Sequence, residues 1–456
     1  MNRIAGRATI TLILATLLLA GFVFFLWEYA TEAEQWVLFT GSPHIYQGDK
    51  VACGVVTDRN GVLLMDMRQN KAYSNLESIR AAMVHWVGDR RGNIDAPILN
   101  HYAQELAGYD PLTGIYTYGN QLPVLELTLS SQIQTAALEA LGDYKGTIAV
   151  YNYKTGEVLC AVSTPCFDPD NEPEITEDNV QLLEGMYVNR FVQSVYIPGS
   201  IFKIVTLAAA LETIPDIQQQ KFTCYGSYKI GTEEITCEGA HWEQSLQDAF
   251  RNSCNCAFAQ ISQQLDPEVL EGFAKKFGLT DSISFDGFNT NTGNFEISDA
   301  AALNVAWSSI GQYTDQINPC TFLTFVGAIA ADGRGAQPYV VNSITIGDAR
   351  EYHAETEYGN TLVSQQTAEI LQKYMRYNVQ TKYGDQNFPG MNVCAKTGTA
   401  EVGGDKKPNA MITGFVEDEQ YPLAFIIAVE DGGYGSTVCI PMLSQVLQAC
   451  KAELDS

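Results

Sequence analysis

The chain has 456 residues, of which 46% are hydrophobic and 18% are charged, and its 27 basic and 53 acidic side chains give a net charge of −26. This composition excludes a disordered chain, because it supplies enough apolar material for a large core and for two or three domains. The strong negative charge argues against binding to nucleic acid or to anionic lipid.

An uncharged apolar segment, residues 8–27, lies near the N-terminus. A helix of about twenty such residues matches the thickness of a bilayer. Arg3 and Arg7 precede the segment and Glu28 follows it, so the N-terminus is predicted to stay in the cytoplasm and the rest of the chain to face outward. A cleaved signal peptide is the alternative, but the apolar run is long for one and no small-x-small cleavage site follows it.

The next predicted unit spans residues 31–125, where the signals are mixed. Residues 51–57 have the composition of a strand, and the Asp-Arg-Asn-Gly sequence at residues 58–61 predicts a hairpin turn. A return strand is expected to begin at Val62. Nothing in the chemistry of this unit indicates catalysis.

The third predicted unit, residues 126–456, begins with a helix capped near Ser130 and a clear hairpin. A mostly helical middle part follows, and the chain then returns to strands before a last helix. The predicted strands of this unit are residues 147–153, 158–162, 393–399, 411–416 and 423–429, and the last helix is residues 442–451.

A serine and a lysine lie three residues apart at the start of an apolar helix. Pro198 and Gly199 form a turn, and Ser200 and Lys203 share one face of the helix that follows, so the amine can reach the hydroxyl. Burial lowers the pKa of a lysine, which lets it accept the serine proton, and the helix N-terminus offers N–H donors to an oxyanion. A serine cap with a solvated lysine is the simpler alternative, since about two such S-x-x-K matches arise by chance in a chain this long.

Two further motifs follow in the chain. Residues 253–255 have the pattern S-x-N, and residues 396–399 read K-T-G-T. The order S-x-x-K, S-x-N and K-T-G is the set found in penicillin-binding proteins and serine β-lactamases. The sequence therefore resembles the class B, monofunctional penicillin-binding proteins, closely over residues 125–456 and more loosely over residues 50–125.

The resemblance implies an α+β architecture. An N-terminal transmembrane helix (residues 1–30) would be followed by a small pedestal domain (31–125) and by a transpeptidase domain (126–456). The last domain would contain an antiparallel sheet flanked by helices, together with a helical subdomain. The protein would be a single-pass protein of the bacterial cell membrane, with a cytoplasmic N-terminus and an extracytoplasmic catalytic domain.

The resemblance also implies roles for single residues. Ser200 would be the acylated nucleophile and Lys203 its proton acceptor, while Ser253 would relay a proton to the leaving group and Lys396 would hold the proton network in place. Backbone N–H groups of Ser200 and Thr399 would form the oxyanion hole. No histidine is required, and the five histidines lie away from the three motifs in the sequence. The substrate-binding residues would be Asn255, Thr397, Gly398 and Thr399.

The implied activity is that of a peptidoglycan D,D-transpeptidase, which cross-links stem peptides through an acyl-enzyme formed at D-Ala-D-Ala. β-Lactams would acylate the same serine, a membrane-embedded peptidoglycan polymerase would be the protein partner, and no cofactor is expected. A D,D-carboxypeptidase or β-lactamase of the same fold is one alternative, and a non-catalytic penicillin-binding sensor is another. A sensor would need a cytoplasmic signalling segment, and only seven residues precede the apolar run.

Eleven cysteines are many for such a chain, and their odd number leaves at least one thiol unpaired. Free thiols are the first expectation. A disulfide between Cys224 and Cys237, on facing arms of one predicted hairpin, is the second. A structural zinc held by these two cysteines with His241 and either Cys254 or Cys256 is the third. Six other cysteines fall in apolar segments and are predicted to be core residues: Cys160, Cys166, Cys320, Cys394, Cys439 and Cys450.

Overall fold

The computed structural model describes residues 2–37, 54–67, 72–94, 96–102, 105–106, 109–110, 115–116, 121–347 and 349–455. Its first element is a helix, Asn2–Val37. Within that helix, Ile4–Thr31 contains an 18-residue window that has a mean hydropathy of 2.5 and is not buried in the described structure. The helix is therefore long and apolar enough to cross a membrane. Residues 51–53 of the predicted strand 51–57 lie outside the described residues.

A five-stranded antiparallel sheet, here called the central sheet, forms the middle of the molecule. It combines the early hairpin with the three late strands, as the sequence predicts. The order across the sheet is Val393–Ala400, Asn409–Val416, Leu423–Val429, Gly146–Asn152 and Val158–Thr164.

The two faces of the central sheet are covered by different layers. Along one strand, Ile148 and Val150 point to the terminal helices Ser131–Leu141 and Gly435–Leu454. Ala149 and Tyr151, which alternate with them, point to the helical body. This alternation follows from the two-residue period of a strand. The predicted α+β fold, with a sheet between terminal helices and a helical part, is confirmed.

Local sequence signals explain several of the boundaries. Ser130 caps the Ser131–Leu141 helix by accepting a hydrogen bond from the N–H of Ile133, and Asn318 caps Pro319–Ala330 in the same way. The last helix is longer than predicted, because it continues through Pro441, which lies in its second turn.

A second, six-stranded sheet lies on the N-terminal side. Its strands in spatial order are Ala349–His353, Val341–Ile346, Pro123–Leu127, Val55–Thr57, Leu63–Asp66 and Ala72–Tyr73. The domain boundary predicted at residues 125 and 126 falls inside Pro123–Leu127. Two strands of this sheet also come from beyond residue 340, so the chain returns to the N-terminal region after building most of the helical part.

One predicted hairpin is wrong. Cys224 and Cys237 were expected on facing arms, but Lys221–Cys224 pairs with Trp242–Ser245, and Ser227–Ile230 pairs with Glu233–Thr236. Because the second ladder is inserted between the strands of the first, Cys224 pairs within the first ladder, whereas Cys237 directly follows the last strand of the second.

The remaining described helices are Glu77–Val87, Pro97–His101, Arg190–Gln193, Lys203–Thr213, Leu246–Asn252, Asn255–Ser262, Pro267–Lys276, Ala302–Ser308, Pro319–Ala330 and Gln365–Asn378. Short two-stranded ladders join Ser284–Phe285 to Phe288–Asn289 and Tyr109–Asp110 to Ile115–Tyr116.

Candidate active site

Ser200 lies in a tight turn immediately before a buried helix. The turn, Gly199–Phe202, is 3-10 helical and runs directly into Lys203–Thr213, so the serine precedes the α-helix rather than lying in its first turn. Gly199 has φ of +53°, and a Cβ there would lie 2.6 Å from the carbonyl oxygen of Thr399. Glycine is therefore required for the turn to approach the edge strand of the central sheet.

The Lys203 amine is the centre of the hydrogen-bond network. Its Nζ donates to the Oγ of Ser200 at 2.7 Å and to the Oδ1 of Asn255 at 2.9 Å, and it lies 3.4 Å from the Oγ of Ser253. The side chain is fully buried. The S-x-x-K and S-x-N motifs are thus joined through one lysine.

A second buried lysine completes the network from the sheet side. Lys396 donates to the Oγ of Ser253 at 3.0 Å and to the carbonyl oxygen of Thr397 at 2.7 Å. Ser253 therefore lies between two amines. The three predicted motifs, which are far apart in the sequence, meet at this point.

The pKa values of both lysines are lowered by burial. Desolvation lowers the pKa of Lys203 to about 7. Desolvation also lowers the pKa of Lys396 well below its usual value, and the positive charges of Lys203 and Lys382 add to this effect. A lysine with a pKa near neutrality can accept a proton at physiological pH, which an exposed lysine cannot.

The S-x-N motif forms a break between two helices. Ser253 ends Leu246–Asn252 in the left-handed conformation, with φ of 56°, and Cys254 caps Asn255–Ser262 by accepting from the N–H of Ala257. The sharp turn points Ser253 and Asn255 toward Lys203. Asn255 also donates to the carbonyl oxygen of Thr236 at 2.9 Å, which ties the motif to the inserted ladder.

The K-T-G-T motif lies on the edge strand Val393–Ala400. Thr397 and Thr399 line the cleft beside Ser200. Gly398 serves a packing purpose, because a Cβ there would lie 3.0 Å from Cγ2 of Ile201 and 3.1 Å from the carbonyl oxygen of Pro198. The small residue lets the strand lie directly against the serine turn.

The cleft around Ser200 has a volume of about 530 Å³ and includes residues that sequence reasoning missed. Tyr383 was not predicted. Its hydroxyl accepts from the N–H of Thr397 at 3.1 Å and lies 3.0 Å from the Oγ1 of the same threonine. No motif marks this tyrosine, because its contact with the strand arises only from tertiary packing. Tyr383 itself is buried behind the cleft, and the lining residues outside the predicted set are Thr236, Glu238, Asn252, Trp307, Ile310, Gln312, Lys382, Glu401, Tyr434 and Ser436.

The position of His241 in the structure differs from the sequence-based expectation that the histidines lie away from the motifs. The residue lies away from the motifs in the sequence, yet it lines the same cleft as Ser200. Its ring Nδ1 lies 3.6 Å from the Sγ of Cys237, and the thiol of Cys254, the middle residue of S-x-N, is 4.0 Å from the same sulfur. The cysteines of the described chain form no disulfide with one another.

Comparison with known proteins agrees with this geometry. The sequence profile described as "Penicillin binding protein transpeptidase domain" matches residues 146–448. The chain is 31% identical over 336 residues to "Peptidoglycan D,D-transpeptidase PbpA" of Mycolicibacterium smegmatis, covering 68% of this chain and 67% of that protein. It is 29% identical over 395 residues to the protein of the same name from Mycobacterium tuberculosis, covering 77% of each.

Solved structures have the same fold. The "D,D-Transpeptidase Domain of Peptidoglycan Glycosyltransferase from Eggerthella lenta" superposes with a TM-score of 0.76 at 25% identity, covering 89% of this chain and 99% of that one. The imipenem acyl-enzyme complex of penicillin-binding protein A from M. tuberculosis gives a TM-score of 0.75 at 25% identity, covering 89% and 100%. The fold and the match over most of the chain define a transpeptidase-domain protein. The chain belongs to the penicillin-binding protein transpeptidase family.

Proposed function

We propose that the chain is a peptidoglycan D,D-transpeptidase that cross-links stem peptides through an acyl-enzyme on Ser200. The observation that carries this proposal is the 2.7 Å contact between the Lys203 amine and the Ser200 hydroxyl, in a setting where burial brings the pKa of the lysine to about 7. The names of the relatives from M. smegmatis and M. tuberculosis support the same reaction and substrate.

Acylation begins when neutral Lys203 takes the proton of Ser200. The serine oxygen attacks the penultimate carbonyl carbon of D-Ala-D-Ala, and the N–H groups of Ser200 and Thr399 stabilise the oxyanion. The bond to the terminal D-alanine then breaks. Ser253, which lies between Lys203 and Lys396, passes a proton to the departing amine, and an ester to Ser200 remains.

Deacylation reverses these proton transfers. An amine of a neighbouring stem peptide loses a proton to the same network and attacks the ester carbonyl, which forms the cross-link and restores Ser200. Asn255, Thr397, Gly398 and Thr399 are assigned to substrate binding. The Lys382 amine and the hydroxyls of Thr397 and Thr399 line the cleft and can donate hydrogen bonds to a substrate carboxylate.

β-Lactams are proposed to acylate Ser200, since solved relatives are acyl-enzyme complexes with such compounds. The Asn2–Val37 helix is proposed to anchor the protein in the membrane, with the N-terminus in the cytoplasm because Arg3 and Arg7 precede the apolar run. A membrane-embedded peptidoglycan polymerase is the proposed partner.

A donor and acceptor assay tests the reaction. The full chain in detergent is given a stem-peptide donor ending in D-Ala-D-Ala and an amine acceptor, and the products are separated by mass. We expect the donor–acceptor amide together with released D-alanine, and neither product from Ser200→Ala. Release of D-alanine without the amide would instead identify a carboxypeptidase.

A further inference from the structure

A cluster of metal-binding side chains lies beside the S-x-N motif and has no part in the acyl-transfer steps above. It consists of Cys224, Cys237, His241 and Cys254, and one ligand atom from each lies within 4.8 Å of all the others. Cys237 and His241 come from one short connection, and Cys224 and Cys254 come from two other segments of the chain. They meet because one small ladder is inserted into another and both pack against the helix that begins after Cys254.

The distances in this cluster fit a tetrahedral metal site. The Sγ of Cys237 lies 4.0 Å from the Sγ of Cys254 and 3.6 Å from the Nδ1 of His241. Tetrahedral Zn²⁺, with Zn–S of about 2.3 Å and Zn–N of about 2.0 Å, places two sulfurs about 3.8 Å apart and a sulfur and a nitrogen about 3.5 Å apart. A disulfide would require a sulfur separation of about 2.05 Å.

The donor set also selects the metal. Three thiolates and one imidazole are a recurring ligand set of structural zinc, and soft sulfur ligands disfavour Mg²⁺ and Ca²⁺. Cys224 and Cys254 are fully buried, whereas Cys237 and His241 are partly exposed on the cleft side. Bulk protein therefore closes one side of the site, and the other side remains open for the metal to enter.

We propose that Cys224, Cys237, His241 and Cys254 bind one Zn²⁺ ion, which fixes the S-x-N motif to the inserted ladders. Binding transfers no electrons: each thiol that is protonated releases its proton to solvent as the Zn–S bond forms. Cys254 is bonded through the backbone to Ser253 and Asn255, and both of these contact Lys203. A metal bond to Cys254 therefore holds the two polar residues at the Lys203 amine.

Either Cys254 or Cys256 could be the fourth zinc ligand by sequence. Cys256 is buried in the first turn of the same helix, two residues after Cys254. The distances within the cluster select Cys254 as the fourth ligand. Cys254→Ser is then expected to lose zinc and Cys256→Ser to keep it, although both variants replace a buried thiol.

The first test is the metal content of the full chain, purified in detergent with a reducing agent and without a chelator. We expect one zinc per chain by elemental mass spectrometry, and strongly reduced zinc in Cys237→Ser, His241→Ala and Cys254→Ser. Cys166→Ser is the matched control, because it removes a half-buried thiol elsewhere and should keep one zinc. Zinc that is lost in Cys256→Ser but kept in Cys254→Ser would overturn the ligand assignment.

A second test uses only the natural chain and so does not depend on whether variants fold. Iodoacetamide labelling followed by peptide mapping is carried out before and after zinc is removed with a chelator. We expect Cys224, Cys237 and Cys254 to be protected with zinc and alkylated without it, and Co²⁺ added to the stripped chain to give the intense absorption of tetrahedral cobalt thiolates. The proposal would be overturned if the chain contained no zinc and had a disulfide within the cluster. It would also be overturned if the labelling of these cysteines were the same before and after chelation.

A third test addresses the positioning role, which rests on the proposed function. Stripping zinc should lower the rate of acylation by a penicillin by roughly tenfold to a hundredfold, and adding Zn²⁺ back should restore it. An unchanged rate in a chain that binds zinc would overturn the positioning role. The metal content is measured without any substrate, so it distinguishes failure of the zinc site from failure of the transpeptidase assignment.

Discussion

The side-chain amine of Lys203 lies 2.7 Å from the side-chain oxygen of Ser200, and the lysine is fully buried. The same amine reaches the S-x-N motif, whose serine is held from the other side by Lys396. Contacts between side chains therefore run without a break from Ser200 through Lys203 and Ser253 to Lys396.

Lys203→Met should lower the second-order rate of acylation by a fluorescent penicillin by about 10²- to 10⁴-fold, the usual contribution of a general base. Lys203→Arg should not restore the rate, because a guanidinium stays protonated. Stopped-flow fluorescence measures both. Lys275→Met, which changes an exposed lysine on another helix, is the control and should react at the natural rate. An active arginine variant would show that the residue acts only as a positive charge.

The acylation rate should rise with pH and level off above about 7. Burial lowers the pKa of Lys203 to about 7, so the neutral amine, which is the form that accepts a proton, predominates only above that pH. Below it the rate should fall about tenfold per pH unit. Thermal unfolding at each pH checks that the chain stays folded. A midpoint near the ordinary lysine value would contradict the proposed base.

Gly398→Ala should slow acylation and lower the free energy of unfolding by about 1–3 kcal/mol. The added Cβ would lie 3.0 Å from Ile201 and 3.1 Å from the carbonyl oxygen of Pro198, and so it pushes the serine turn away from the strand. Chemical denaturation and penicillin acylation measure the two effects. Gly272→Ala, on the Pro267–Lys276 helix, is the control. Its added Cβ would lie in open space, so neither the acylation rate nor the free energy of unfolding should fall.

Tyr383→Phe tests a residue that no motif marks. Its hydroxyl is a partner of both the N–H and the Oγ1 of Thr397, so its removal leaves a polar group without that partner and should cost about 1–3 kcal/mol in unfolding free energy. Acylation should slow as well, because Thr397 loses its support. Tyr374→Phe makes the same chemical change in the preceding helix and should leave acylation unchanged. Equal rates in the two variants would show that Tyr383 is not needed to position Thr397.

The sequence was informative where local rules decide the structure. The cap at Ser130, the early hairpin and the three late strands follow from side-chain hydrogen bonding and from the two-residue period of strands. The three motifs could be recognised because each is short. Their meeting at Lys203 depends on the central sheet, which pairs strands more than 200 residues apart, as Ile426 with Ala149 shows.

Other features could not be predicted because they depend on tertiary packing. Because of the inserted ladder, Cys224 does not pair with Cys237, yet the side chains of both lie close to that of Cys254. Tyr383 reaches Thr397 from a π-helical turn, Val379–Tyr383, whose sequence has no distinguishing pattern. The six-stranded sheet likewise combines strands from residues 55–127 with strands from residues 341–353, a return path that local periodicity does not encode.

The most direct measurement of the central claim is the intact mass of the full chain with and without benzylpenicillin, followed over hours. The account predicts a long-lived adduct of one penicillin per chain, mapped to the peptide that contains Ser200 and absent from Ser200→Ala. An adduct that persists in Ser200→Ala, or no adduct on the natural chain, would contradict the assignment of Ser200 as the nucleophile. Rapid loss of the adduct would contradict a transpeptidase and indicate a hydrolase of the same fold.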